Sequence, residues 1–410
     1  MVDEIYIPIK IKSILFYFAF FCLTIYTVME SSTTSLSFMP KIRVYSLWTA
    51  ALCCSGLLNE VFSYIDTDKY GFCIFSSVLF IASIIFGWIF GGKVGSSGGV
   101  IRMSVYIVEI LILMIVAKKE NRTKYCVRIL FMFCIIMCFI NDFVDITGLI
   151  SFTKSRYSIL KKYVIGTKFD VVYLHLNTVT LLTTNEILEN RFDKKRVCLT
   201  YIALAAVLAI SVYVDCSTGV IGSVVFAALF SLLQYGNDGV KKFLYSKYTF
   251  MITLLAAAFI LLILQAIVNL PVVTNFIVNT LKRDVTLTGR LIIFMLFIPT
   301  MNGHWFWGYG LGKAYSVSMS NFGAADAQNL VLQWVLQIGV VPITAMLLWI
   351  MSYFSRIDKC NNKSVILPIV VLLYTYVLLG IGEITLNYNF FMFLFLLSCI
   401  SNYSQITECI

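Results

Sequence analysis

The chain has 410 residues, 60% of them hydrophobic and 13% charged, with mean hydropathy +0.89 and a formal net charge of +10. Soluble domains carry about 25% charged residues, so an ordinary soluble globular protein is excluded. Apolar runs of about 18 residues or more read as membrane helices, and they recur from residue 13 to residue 401 without the period-two alternation of barrel strands.

In chain order, the first apolar segment, "ILFYFAFFCLTIYTVM", follows Lys10 and Lys12. No A-x-A-like cleavage site comes after it, so it reads as a retained span rather than a signal peptide. Cutting the chain at polar stretches predicts twelve spans, near 13–29, 44–64, 72–91, 100–117, 129–150, 171–188, 197–214, 220–235, 248–270, 327–351, 364–382 and 389–401. The last is shorter than the usual 17–25 residues. The expected fold is therefore all-α: one integral membrane domain over 1–410, a polytopic bundle of about twelve transmembrane helices. Most of the twelve cysteines fall inside these spans, with no C-x-x-C pair, and behave as small hydrophobes rather than a metal or disulfide framework.

Twelve spans put both termini on one side. The connections "KKENRTKYCVR", "ENRFDKKR", "KKFLYSK" and "SRIDKCNNK", with Lys10, Lys12 and Lys69, hold 18 of the 31 Lys and Arg residues. The positive-inside rule makes that side cytoplasmic. The basic excess thus reports topology and implies no nucleic-acid partner. Of the remaining 13, nine fall in two outer loops, 151–170 (Lys154, Arg156, Lys161, Lys162, Lys168) and 271–326 (Lys282, Arg283, Arg290, Lys313). The other outer connections share four: Lys41, Arg43, Lys93 and Arg102. Basic clusters on a translocated side suit an anionic partner, although long loops also cross regardless of charge.

The 271–326 loop contains Leu291 to Ile298, an apolar run too short to span and closed by Pro299. It reads as an interfacial or re-entrant helix, followed by a headgroup-level aromatic belt of Trp305, Phe306, Trp307 and Tyr309. Arg290 then sits at headgroup depth, where its planar donor fork suits a phosphate; simple snorkelling is the competing reading. The glycines at 303, 308, 310 and 312 suggest a tight turn under the aromatics. His175 and Asn177 open span six, and His304, the only other histidine, also falls on the outer side. A lone histidine is more often structural than catalytic. Span ten opens with Asp326, Gln328 and Asn329, and Gln333 and Gln337 continue a polar stripe that can serve a site or simply join helices. Asp142, Asp145 and Glu383 also lie towards the outer side.

"TGRLIIF", "GYGLG" and "AQNLVLQWVLQIGVV", all between residues 286 and 345, resemble the Gly-Arg motif, glycine turn and His-Asn segment of the O-antigen ligase and Wzy-type polymerase superfamily. "FDVVYLHLNTV" at 169–179 resembles that family's His-Pro-Asn motif. Gln328 stands where the family has a histidine and Leu176 where it has a proline, so the base stays open. The resemblance implies a GT-C-like bundle with two large outer loops. The activity it implies is metal-independent glycosyl transfer between undecaprenyl-pyrophosphate-linked repeat units, without a cofactor. The implied partners are the lipid-linked donor and acceptor, membrane lipids, and a flippase and chain-length regulator of the same pathway. Arg290 is then assigned to the leaving pyrophosphate, with Arg283, Arg156, Lys168, Lys161 and Lys162 assisting. His175, Asp326 and His304 become base candidates, and Asn177, Gln328, Asn329, Trp305 and Trp307 line the substrate site. A ligase with another acceptor and a lipid-linked oligosaccharide flippase are the alternatives. The missing internal repeat weighs against a transporter.

Overall fold

The computed structural model describes residues 2–30, 36–91, 96–148, 162–189, 193–268, 290–360 and 362–401, with side chains except at 2–10, 67–68, 261–268 and 290–291. Among the described residues the secondary structure is helical throughout. The elements are α1 (Val2–Val28), α2 (Met39–Ser55), α3 (Leu58–Tyr64), α4 (Thr67–Phe90), α5 (Ser97–Lys119), α6 (Thr123–Thr147), α7 (Lys168–Leu188), α8 (Lys194–Tyr213) and α9 (Ser217–Tyr235). Then come α10 (Asp238–Leu244), α11 (Lys247–Val268), α12 (Arg290–Thr300), α13 (Ala314–Phe322), α14 (Leu332–Ile338), α15 (Val340–Phe354), α16 (Leu367–Leu379) and α17 (Tyr388–Ile400).

Seven of the described helices are long and apolar enough to cross a membrane, and α10 with α11 forms a further pair bent by 62°. The outward faces of this protein are greasy. Phe139 is 71% exposed and Leu52 74% exposed, whereas soluble proteins scatter such residues singly over a polar surface. The centre is filled by α7, α16 and α17, whose side chains are almost wholly buried. This burial lets α7 carry His175, Asn177 and four threonines at positions no lipid would tolerate. Thr178, Thr180, Thr183 and Thr184 each donate to the carbonyl four residues back, so their hydroxyls stay satisfied.

Three elements differ from the sequence expectation. The stretch 44–64 is two helices, α2 and α3, broken at Gly56 and Leu57; a Cβ on Gly56 would stand 3.1 Å from Leu15 of α1. The stretch 327–351 is also broken, into α14 and α15, at Gly339. Pro299 stands inside α12 rather than after it; its ring removes one hydrogen bond from the final turn, and the helix runs one residue further.

Charge divides the bundle into two ends. At one, Lys12 pairs with Glu60, Arg122 with Glu120, Lys124 with Glu189 at 2.9 Å, Arg196 with Glu186 at 3.2 Å and Lys247 with Asp358 at 3.0 Å. These link the start of α1, the end of α5, the two ends facing the α7–α8 turn and the start of α11. Among the described residues the opposite end, where α1 finishes and α5 begins, carries fewer cations, and it holds the cavity described next.

Candidate functional site

A cavity of about 420 Å³ opens at the end opposite the basic loops, between the end of α1, the starts of α2, α5 and α17, and α14. Its charged lining residues are Glu30, Arg43 and Arg102. Local sequence explains how each arrives there. Glu30 lies two residues past the end of α1, Arg43 sits in the first turns of α2 behind Pro40, and Arg102 stands in the second turn of α5.

Arg43 is held by the fold. Its Nε donates to the carbonyl of Tyr26 at 3.0 Å and its Nη1 to the carbonyl of Glu30 at 2.7 Å. Its guanidinium lies over the rings of Tyr26 and Tyr388, 4.5 and 5.2 Å from their centroids. Tyr26, Tyr106 and Tyr388 form a buried edge-to-face cluster behind it, with the Tyr106 hydroxyl donating to the Tyr388 carbonyl at 2.9 Å. Arg102 differs: it is half-buried, and among the described residues its guanidinium has no hydrogen-bond or ion-pair partner. One arginine is preset and the other is available.

Glu30 lies outside α1. Its Oε2 accepts from the Tyr388 backbone N–H at 3.1 Å and from Asn389 Nδ2 at 3.5 Å. Burial pushes its carboxyl up to about 7, against the pull of the Arg43 guanidinium. A carboxyl that titrates near neutrality beside two permanent cations leaves the cavity net positive, which suits an anionic ligand.

The far wall depends on two glycines. Gly339 interrupts the α14–α15 line at φ +74°, and a Cβ there would fall 2.4 Å from the Phe306 carbonyl carbon and oxygen. At Gly308, φ +66°, a Cβ would fall 2.6 Å from the backbone of Gln337 and Gly339. The aromatic-glycine loop therefore docks backbone to backbone on the helix break. Tyr309 N–H donates to the Leu336 carbonyl at 2.9 Å, Gly310 N–H to Gln337 at 2.7 Å, and Val340 N–H back to Trp305 at 2.8 Å. The loop continues to Leu311, whose carbonyl accepts from Ser96 N–H at 2.8 Å at the head of α5. This arrangement turns Gln333 and Gln337 towards the cavity.

The residues singled out from sequence fall in several places. Gln333 and Gln337 line the cavity. Asn177 reaches it indirectly: its Oδ1 accepts from the Tyr376 hydroxyl at 2.5 Å, and its Nδ2 donates to Asn389 Oδ1 at 3.4 Å, the same Asn389 that contacts Glu30. His175 points elsewhere, with Nε2 3.0 Å from Asp142 Oδ2. Asp142 and Asp145 line a second cavity against α8, and Glu383 accepts from Thr218 at 3.1 Å. Asn329 is fully buried and occupied by structure, donating to the Ala257 and Ile381 carbonyls and accepting from the Val331 and Leu332 N–H groups. Asp326 accepts from the backbone N–H of Gln328, which sits at φ +47° in the turn before α14. His304 stacks on Tyr309 with centroids 3.9 Å apart, Trp305 meets Phe297 edge to face, and Trp307 packs on α4 at Gly87. Lys168 Nζ donates to the Asp215 carbonyl at 2.5 Å, and Lys162 is half-buried in the approach to α7. Arg156, Lys161, Arg283 and the Arg290 side chain lie outside the described residues; the Arg290 backbone opens α12. Among the described residues, no group of three His, Cys, Asp or Glu could hold a metal ion.

Glu30, Arg43 and Arg102 did not stand out in the sequence. The available signal was that Arg43 and Arg102 are two of the four isolated cations on the side poor in Lys and Arg. No protein-family model matches the chain, and no curated protein matches it.

Proposed function

We propose that this protein is a membrane glycosyltransferase of the Wzy polymerase type. It would join polyprenyl-pyrophosphate-linked oligosaccharides at the cavity end of the bundle, with that end on the outer face of a bacterial inner membrane. The observation that carries the reading is the pairing of a preset Arg43 with Arg102, whose guanidinium has no partner among the described residues, beside the Glu30 carboxyl that titrates near neutrality. In the proposed reaction an acceptor hydroxyl attacks the anomeric carbon of the donor, the bond to the pyrophosphate breaks, and the electron pair leaves with the pyrophosphate. Arginines fixed in advance stabilise that growing charge without reorganising. Glu30 takes the hydroxyl proton, and its titration near neutrality matches what a general base requires. Arg290, Arg283 and Arg156 remain proposed contributors to pyrophosphate binding from the two long loops. The twelve-span layout with both termini cytoplasmic belongs to the same proposal; it fits the concentration of cations at the other end.

Deleting the gene and separating lipid-linked glycans by chain length tests this. Single repeat units should accumulate on the outer face and long chains should vanish. Retention of repeat units on the cytoplasmic face would instead establish the flippase reading. That reading has one observation in its favour: the helix broken at Gly339 lines the cavity, as discontinuous helices do in transporters. Loss of transfer to a different acceptor, with repeat-unit polymerisation intact, would indicate a ligase.

A further inference from the structure

A line of three side chains runs from the bundle core to Glu30, each supplied by a different central helix. It begins at Tyr376 of α16, 1% exposed, passes through Asn177 of α7, 2% exposed, and reaches the half-buried Asn389 in the first turn of α17. The Tyr376 hydroxyl donates to Asn177 Oδ1 at 2.5 Å, Asn177 Nδ2 donates to Asn389 Oδ1 at 3.4 Å, and Asn389 Nδ2 donates to Glu30 Oε2 at 3.5 Å. All three donors point the same way, and the line ends on a group that can only accept when ionised.

Polar residues between membrane helices often serve only to join them, and for that purpose the direction of each bond is indifferent. Here the direction is fixed at the far end by the backbone. The Tyr388 N–H also donates to Glu30 Oε2, at 3.1 Å, and a backbone N–H cannot be turned round. Asn387 caps the same helix end by accepting from the Phe390 N–H at 3.1 Å, so α17 turns its positive N-terminus towards this carboxyl. Reversing the amides would set Asn389 Oδ1 against the oxygen that Tyr388 holds as an acceptor, and the Tyr376 hydroxyl would give up the acceptor it now has. Oε2 thus meets two donors, one for each in-plane lone pair, and the proton that Glu30 gains or loses belongs on Oε1. Several other groups bear on this carboxyl. Arg43 of α2, Arg102 of α5, Tyr26 of α1 and Tyr388 of α17 share its cavity, Tyr106 of α5 stands behind them, and Asp170 of α7 acts from the Thr167 cap. Burial and, more weakly, Asp170 disfavour the carboxylate, while Arg43 and the two donors favour it.

We propose that Tyr376, Asn177 and Asn389 are positioning residues for Glu30: a one-way hydrogen-bond relay that holds Oε2 as an acceptor and leaves proton exchange to Oε1. Each donor polarises the next, so the buried tyrosine acts on the carboxyl through two intervening amides. The relay needs no substrate; only its bearing on glycosyl transfer rests on the reading of Glu30 as base.

The test follows the Glu30 carboxyl band by infrared spectroscopy of the full-length chain in dodecyl maltoside, from about pH 5 to about pH 9. Each variant is read against its own Glu30→Gln partner, which isolates the band. Tyr376→Phe keeps the ring and removes only the first donor; it should raise the midpoint by about half a pH unit, or about threefold in proton affinity. Asn389→Leu removes a donor to the carboxylate itself and should raise it by about one unit, or about tenfold. Tyr374→Phe is the control: it lies on the same helix, but its ring packs on Phe250 and Phe354, and the midpoint should stay put. With Asn389→Leu in place, Tyr376→Phe should add nothing, because the line is already cut. If Asn389→Leu fails to run as a single species, the two tyrosine variants decide the same point. A midpoint unmoved by Tyr376→Phe, moved equally by Tyr374→Phe, or shifted additively in the double variant would overturn the relay. Absence of any Glu30 band titrating in this range would overturn the relay and the base assignment together. A band that shifts while the pH–rate midpoint of glycosyl transfer does not would sustain the relay and remove only the base.

Discussion

Replacing Glu30 with glutamine retains an acceptor oxygen for the Tyr388 and Asn389 donors and removes only the titrating proton. Burial raises this carboxyl from 4.5 to about 7, a difference of about 3 kcal/mol between its protonation states. About half of the groups are then ionised at pH 7 and about a tenth at pH 6. If ionised Glu30 accepts the proton of the attacking hydroxyl, the initial transfer rate should fall about tenfold per pH unit below 7 and level off above it. Glu30→Gln should lower the plateau by about a hundredfold or more and flatten the profile. The assay is product-ladder formation in proteoliposomes carrying lipid-linked repeat units, measured at low substrate. Stability supplies an independent check whose sign is fixed. The folded protein holds the proton more tightly than the unfolded chain, so stability should decline as pH rises from 4.5 through 7, by up to about 3 kcal/mol. The glutamine variant should lose that slope in a detergent melting series. A rate within threefold of the native protein, or a native profile flat across this range, would refute the assignment. So would loss of activity in Glu30→Gln with the melting slope unchanged, because the titrating group would then lie elsewhere.

Four further outcomes follow from the packing. Arg102→Ala should leave the melting temperature within the noise of a surface change, about 0.5 kcal/mol; it should raise the KM for pyrophosphate-linked donor about tenfold or more through loss of a charge-assisted contact. Arg43→Ala should do both kinds of damage, since it removes two charged hydrogen bonds and two ring contacts, and a loss of about 3–5 kcal/mol should show in thermal melting. Gly339→Ala should cost about 3 kcal/mol or more through its positive φ and the clash with Phe306, read as increased proteolysis of the 301–312 loop. Asn329→Ala strands two backbone carbonyls and two N–H groups in the core and should cost about 3 kcal/mol or more, which expression yield and melting together would register.

Much of the architecture was legible because membrane helices announce themselves through long apolar runs, and the alternation of basic and non-basic connections orders them. The two broken stretches were less legible. Nothing in a hydropathy profile distinguishes Gly56 or Gly339 from a glycine tolerated inside a span, because both breaks depend on what approaches from elsewhere: Leu15 in one case, Phe306 and Trp307 in the other. The "GYGLG" stretch was readable as a turn but not as a docking strip for α14 and α15. Asn329 was picked out as polar and near the right place, yet its four hydrogen bonds serve the fold. His175 and Asn177, two residues apart on α7, point to opposite sides, one to Asp142 and the other to the Glu30 network. Adjacency in a motif thus grouped two residues that helical geometry separates.

The arginines make the same point about charge. Counting cations by loop favours clusters, and it drew attention to 151–170 and 271–326, where nine basic residues lie close together in sequence. Clustered loop cations can remain solvated, and each then contributes little. A single arginine near a helix end is different when several helices converge there. Arg43 and Arg102 come from α2 and α5, and the carboxyl between them comes from the end of α1, all at one mouth. Their weight lies in convergence, low hydration and a preset geometry rather than in number. In a membrane bundle, then, an isolated cation on the side that insertion keeps poor in cations is the more informative one. It persists against the topological bias, and one neighbour in space can account for it where a long loop needs none.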